Sequence, residues 1–203
     1  MTISVQDRER ISKAVGDAED KTSGEIVCVL AKSSTADAAL PILVAVIAAL
    51  VLPWLLVACT AMTVKGILSL QVAAFLLLWI VFSIPRVRAS LLPGRLRRQM
   101  AYRAATEQFT IRGIARKKDR CGILIFVSLA ERYVRIIADD GIAARVPQSE
   151  WQAAVDALVA HVREDRIGDG FVAAIELCGE ELATHFPSTG PKRGELTDRI
   201  YLV

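Results

Sequence analysis

The stretch AALPILVAVIAALVLPWLLVACTAMTVKGILSLQVAAFLLLWIVFSIP, Ala38 to Pro85, decides how the rest of the chain is read. Between Asp37 and Lys65 lie 27 uncharged residues, and between Lys65 and Arg86 another 20. Each run is long enough to cross a hydrocarbon core of roughly 30 Å as a helix. Each Leu, Ile, Phe or Val at a helix centre contributes about −0.3 to −0.6 kcal/mol toward insertion. The expectation is a transmembrane helical hairpin, with a buried hairpin of a soluble protein as the alternative. Pro41 can sit near the start of the first helix, whereas Pro53 is expected to kink or shorten it.

Working outward, 37 residues precede the hairpin and 118 follow it, enough together for one ordinary domain. Ten Lys/Arg fall between residues 86 and 118 against one acid, Glu107. Arg86, Arg88, Arg95, Arg97 and Arg98 flank the end of the second run, the first flank carries five Lys/Arg, and the short loop holds only Lys65. The positive-inside rule then places both flanks in the cytoplasm and the loop outside. Met1 to Lys21 is polar and charged, unlike a cleavable signal peptide. Cys28, Cys59, Cys121 and Cys178 form no paired motif, which suits a reducing compartment and structural roles.

In the first flank, Ser4-x-x-Asp7 is a capping-box pattern leading into Ile11, Ala14, Val15 and Ala18 at helical spacing. Glu25 to Ala31 is apolar on both alternating faces, as in a central strand. Beyond the hairpin, Gly94 to Phe109 reads as a helix packing through Met100, Ala104, Ala105 and Phe109, and Arg112 to Arg120 as a polar loop. Gly122 to Ser128 and Tyr133 to Ala138 suggest a β-hairpin. Helices follow over Pro147 to Arg163 and Ile167 to Phe186, and Ile200 to Val203 could pack back on the domain.

The expected fold is therefore α/β (α+β): a small mixed β-sheet flanked by helices, with the transmembrane hairpin inserted after the first strand. Residues 1–37 supply a helix and a strand, 38–85 the hairpin, 86–187 the remainder of the domain and 188–203 a tail. Strands on both sides of the hairpin can share one sheet only if both flanks lie on one side of the bilayer. That requires an even number of spans.

Asp119-Arg120-Cys121-Gly122, the apolar strand after it, and Ala130-Glu131-Arg132-Tyr133-Val134-Arg135-Ile136 resemble the TPM domain family. There an Asp/Asn-Asn-Gly loop precedes a buried strand and Asp-Arg-x-Val-Arg-Ile follows it. Thr22-Ser23-Gly24-Glu25-Ile26-Val27 is similar to the family's first strand entry, Phe109 to the aromatic near its second helix, and Gly168-Asp169-Gly170 with Ala173, Ala174 and Ile175 to its last helix. His185-Phe186-Pro187 with Glu195 to Arg199 is similar to a short bacterial, membrane-anchored branch. The resemblance implies a mixed sheet between helices and, in some members, an acidic pocket for a divalent ion with phosphatase activity. Asp139-Asp140-Gly141-Ile142-Ala143-Ala144 stands where the family has Gly-Tyr-Gly-Leu-Glu-Gly, and Gln148 falls near a later acidic position.

Asp119, Asp139 and Asp140 are thus the candidate metal ligands, for a divalent cation such as Ca²⁺. The alternative for Asp139-Asp140-Gly141 is a solvated turn. His161 and His185 lack ligand spacing, Ser128 and Ser149 lack triad partners, and Glu131 with Arg132 reads as an exposed turn pair. The basic block beside a span points to the lipid bilayer and not to nucleic acid. The leading expectation is a multi-pass inner-membrane protein with two spans and both termini cytoplasmic. Its TPM-like domain would be a tethered interaction or assembly module for a membrane protein partner. The rival is a metal-dependent phosphatase; a pore built from the spans is weaker, since neither run carries a charge inside it.

Overall fold

The computed structural model describes residues 3–34, 39–84, 87, 90, 92–114, 121–188 and 200–203. Helix α1 (Val5–Glu19) opens on a reciprocal cap, in which Ser4 Oγ accepts the Asp7 amide at 3.0 Å and the Asp7 carboxylate reaches back to the Ser4 amide. Both donors would otherwise be orphaned in the first turn. Ile11, Val15 and Ala18 form its inward face. Strand β1 (Glu25–Ala31) is buried at every position, as a strand covered on both faces must be.

β1 pairs in parallel with β2 (Gly122–Ser128), from Glu25 opposite Gly122 to Ala31 opposite Ser128. β2 pairs antiparallel with β3 (Tyr133–Ala138), and β4 (Ile200–Leu202) lies parallel to β1 on its other side. The order is β3-β2-β1-β4. The tail therefore supplies a fourth strand, which its length and composition did not distinguish from simple packing. Parallel neighbours need a long crossover. The one between β1 and β2 contains α2 (Ala39–Cys59), α3 (Val64–Ser83) and α4 (Gly94–Ile111); the chain later forms α5 (Asp140–Ala143), α6 (Gln152–Arg163) and α7 (Ile167–His185).

Helices cover both faces of the sheet. Ile26, Cys28 and Leu30 with Ile123, Ile125, Val127 and Ile136 pack against α1, α6 and α7. Val27, Val29 and Ala31 with Leu124 and Phe126 pack against Ala105 and Phe109 of α4 and against Ile114. The α4 face is Ala101, Ala105 and Phe109 with Ala104 packed beside them, so three of the four expected positions hold and the fully buried Ala101 takes the place expected for Met100, which is half-buried. Gly113, at φ 75°, follows the last turn of α4 in the left-handed conformation that ends many helices. Helix α6 begins at Gln152 and not at Pro147; Pro147 to Trp151 forms successive tight turns, with Glu150 N donating to Pro147 O and Gln152 N to Ser149 O.

α2 and α3 pack chiefly against each other. Ile42–Cys59 and Val64–Phe82 are long and apolar enough to cross a membrane, and only 11% and 6% of these windows are buried. The core hairpin of a soluble domain would be largely covered, so exposure favours the membrane reading. Pro53 lies inside α2 without ending it.

The elements run so that the two ends of the sheet differ. At the carboxyl ends of β1 and β2 the chain departs toward α2. Phe186 O accepts Ser23 N at 3.0 Å and Glu19 Oε1 accepts Ile26 N at 2.8 Å, which puts the last turns of α7 and α1 at the opposite, amino edge. A Cβ on Gly168 would lie 2.6 Å from Asp7 Oδ1, so the first turns of α7 and α1 meet at the carboxyl edge. In α4, Arg135 of β3 stacks on Tyr102, whereas Ile114 touches Gly122 at the start of β2. The start of α4, with Arg95, Arg97 and Arg98, therefore points to the carboxyl edge as well.

Candidate functional site

At the carboxyl edge the polar centre is Glu131, only 4% exposed. Ser33 Oγ donates to Glu131 Oε1 at 2.9 Å, Ser34 N donates to Oε2 at 2.9 Å, and Ser128 Oγ makes a short hydrogen bond to Oε2. Backbone bonds extend the clasp: Leu129 N donates to Ala31 O and Ala130 N to Lys32 O. A buried carboxylate is tolerated when several donors surround it. Glu131 is thus no exposed turn residue, correcting the expected surface pair with Arg132. The sequence hid this because its partners Ser33 and Ser34 lie in another flank, behind the hairpin.

Beside the clasp, Val127, Ser128, Leu129, Arg132, Tyr133, Val134, Val159, Val162 and Arg163 line a cleft of about 620 Å³ between the β2–β3 turn and the end of α6. Arg132 and Arg163 are both exposed, and neither is in an ion pair among the described residues. Arg132 holds φ at 50°, unusual for a residue with a side chain.

At the amino edge, Asp139 is 6% exposed and caps the one-turn helix α5, its Oδ1 accepting Asp140 N at 2.8 Å. Its own amide donates to Gly122 O at 2.9 Å, and its Oδ2 is buried with no hydrogen-bond partner among the described residues. Asp140 is exposed. The solvated-turn alternative fails for Asp139, because the chain folds inward at the strand end to close against Gly122. Asp119, the third candidate, lies outside the described residues, as do Arg86 and Arg88 of the basic block. No group of three metal-binding side chains comes together among the described residues. Two neighbouring carboxylates fall well short of the about six to eight oxygens that Ca²⁺ takes.

Of the other sequence candidates Ser149 is exposed, and Ser128, His161 and His185 have structural partners. Ser128 is 1% exposed and bonded to Glu131, while His161 Nδ1 lies 2.8 Å from Ala157 O and His185 faces Glu181 at 3.8 Å. Among the described residues neither imidazole is hydrogen-bonded to a serine as a nucleophile and base pair would be. Cys28, Cys121 and Cys178 are buried and Cys59 is exposed. Burial pushes the thiols of Cys28 and Cys178 far up, helped in Cys28 by the nearby Cys178 and Glu19. Such thiols are inert at neutral pH.

Residues 93–181 match the family model of the TPM domain. The solution structure of the BA42 protein from the psychrophilic bacterium Bizionia argentinensis superposes with a TM-score of 0.64 at 20% identity, over 100% of this chain and 97% of that one. At that identity the likeness concerns the fold alone. No curated protein matches the chain.

Proposed function

We propose that this TPM-domain chain is an integral protein of the bacterial inner membrane. Its globular part, built from both flanks, is held against the cytoplasmic surface as an interaction or assembly module. The observation that carries the reading is the insertion of two exposed apolar helices between β1 and β2, adjacent strands of the sheet, with the exit from β1 pinned by Glu131. A domain tied at its sheet has its height and tilt set by the hairpin, unlike one on a flexible linker. Arg95, Arg97 and Arg98 at the same edge add attraction to anionic lipid of about 1 kcal/mol per residue near the surface. Both termini then lie in the cytoplasm, in keeping with the distribution of Lys and Arg.

Crosslinking in intact membranes followed by purification tests the module reading. The same membrane protein should be recovered repeatedly in stoichiometric yield; a scatter of abundant proteins would count against it. The second reading, a metal-assisted phosphatase, draws its support from the buried, unpartnered Asp139 Oδ2 beside Asp140. Hydrolysis of a generic phosphoester, lost in both Asp139→Asn and Asp140→Asn, would favour it. Calorimetric titration with Ca²⁺, Mg²⁺ and Mn²⁺ showing no saturable binding would remove it.

A further inference from the structure

The cleft between the β2–β3 turn and the end of α6 carries charge that no ion pair among the described residues uses. Arg132 on the β2–β3 turn and Arg163 at the end of α6 both line it, neither in an ion pair among the described residues, whereas Arg166, a few positions on, is engaged by Glu164 and Asp169. Two guanidinium-bearing side chains lining one concavity suit a phosphate, whose oxygens accept forked hydrogen bonds. The rest of the wall is mainly aliphatic, with Val127, Leu129, Val134, Val159 and Val162, and Ser128 and Tyr133 add to it. A free inorganic anion has no use for such a wall; an ester of phosphate with an apolar body does.

Position decides where such an ester comes from. Leu129 N bonds to Ala31 O and Ala130 N to Lys32 O, so the β2–β3 turn lies directly on the segment that leads to α2. From Ser34 to Ala39 the chain advances five residues, which reach at most about 18 Å when fully extended. The cleft is therefore at the edge nearest the first apolar helix, within reach of a headgroup layer. Asp139 and Asp140 lie a strand length away, about 23 Å for seven residues. The left-handed backbone at Arg132 is held by the clasp behind it, where neighbouring Glu131 anchors Ser33, Ser34 and Ser128.

We propose that this cleft binds the phosphate of an anionic phospholipid headgroup, gripped between Arg132 and Arg163. The inference rests on the membrane reading above and gives the module a lipid ligand. The site orients the domain on an anionic leaflet, and it senses lipid charge at one defined pocket instead of across a diffuse basic surface.

The test uses the full chain in neutral detergent, titrated calorimetrically with three probes: short-chain phosphatidylglycerol, short-chain phosphatidylcholine and inorganic phosphate. Saturable binding of phosphatidylglycerol is expected, with at least tenfold weaker binding of the other two. Arg132→Gly, which suits the left-handed backbone and so keeps the fold, and Arg163→Gln should each weaken it at least tenfold. The triple variant Arg95→Gln/Arg97→Gln/Arg98→Gln should leave it within twofold. Equal binding of inorganic phosphate would overturn the lipid assignment. Unchanged affinity in Arg132→Gly and Arg163→Gln, or no saturable binding of phosphatidylglycerol, would overturn the site. Resistance of the protein to alkaline extraction from membranes tests the hairpin separately, so failure of the cleft and failure of the membrane reading are told apart.

Discussion

Ser33 donates its hydroxyl hydrogen to Glu131 at 2.9 Å across 98 positions of sequence, joining the last residues before the apolar hairpin to the turn between β2 and β3. The same carboxylate takes the Ser34 amide and the Ser128 hydroxyl, so one buried acid closes the sheet at the point where the chain leaves it. Removing it orphans the buried Ser128 hydroxyl and the half-buried Ser33 and Ser34 donors at once. Glu131→Ala should cost about 2 to 4 kcal/mol in denaturant unfolding of the purified protein, and Glu131→Gln less, because it keeps one acceptor oxygen. Amide exchange at Ser34 is the direct readout. Protection there that survives Glu131→Ala would show that the linker is held by something else.

A second contact sets how closely α1 and α7 pack. A Cβ on Gly179 would come 2.8 Å from the Cβ of Ala18, below any ordinary contact. Gly179→Ala gains about 1 kcal/mol of helix propensity but pays about 1 to 3 kcal/mol in overpacking, so a net loss near 1 kcal/mol is expected. In an Ala18→Gly background the clash disappears and the same change should stabilise. A double-mutant cycle measures the coupling. Additive effects would mean that the helices separate without cost.

Reactivity of the thiols reports on the hairpin. Cys59, at the end of α2, is exposed, while the other three are buried and burial pushes the Cys28 and Cys178 thiols far up. A maleimide should therefore label the detergent-solubilised native protein once, at Cys59. With a membrane-impermeant maleimide on spheroplasts, Met62→Cys in a Cys59→Ser background should label from outside, and Ser149→Cys only after lysis. Reversed sidedness would invert the topology proposed above.

The meeting of α1 and α7 at the carboxyl edge should depend on acid. A hydrogen bond from Arg10, at 2.8 Å, holds the Asp169 carboxyl below its ordinary range, with the charges of Arg10 and then Arg166 adding to it. A carboxyl lowered by folding contributes stability that is complete above its unfolded value and is lost as pH falls through the folded one. Protection of the amides in the first turn of α1 should thus weaken below the ordinary aspartate range. Asp169→Asn should remove that step while leaving the neutral-pH fold intact. The group is solvent-facing and screened, so the step should shrink further in high salt.

The limits of β1 and β2 were legible because both strands are bounded by Gly or turn residues and are apolar on both faces, so burial dictates the conformation, while the half-buried β3 was legible from the turn that precedes it. Glu25–Ala31, Gly122–Ser128 and Tyr133–Ala138 stand in the structure with the ends expected for them. The α1 cap was legible for a similar reason, since its donor and acceptor are three positions apart. By contrast, Ile200 to Leu202 is too short to announce a strand, and it becomes one only because the edge of β1 is free to pair. Asp139 looked like a turn residue because Asp-Asp-Gly favours turns; its burial follows from closure against Gly122, which no local pattern encodes.

By itself the sequence determined that two apolar runs too long and too uncharged for a loop divide a mixed α/β domain, since hydropathy and spacing act over a few turns of chain. Only the tertiary structure decided which distant groups meet. It bonded Glu131 to Ser33 and Ser34, brought Arg132 and Arg163 to one cleft at the edge nearest the hairpin, and sent Asp139 to the far end of the sheet. The physical reason is strand direction. Parallel pairing of β1 with β2 brings their carboxyl ends to one edge however many residues intervene, and the helices that return between them inherit that polarity.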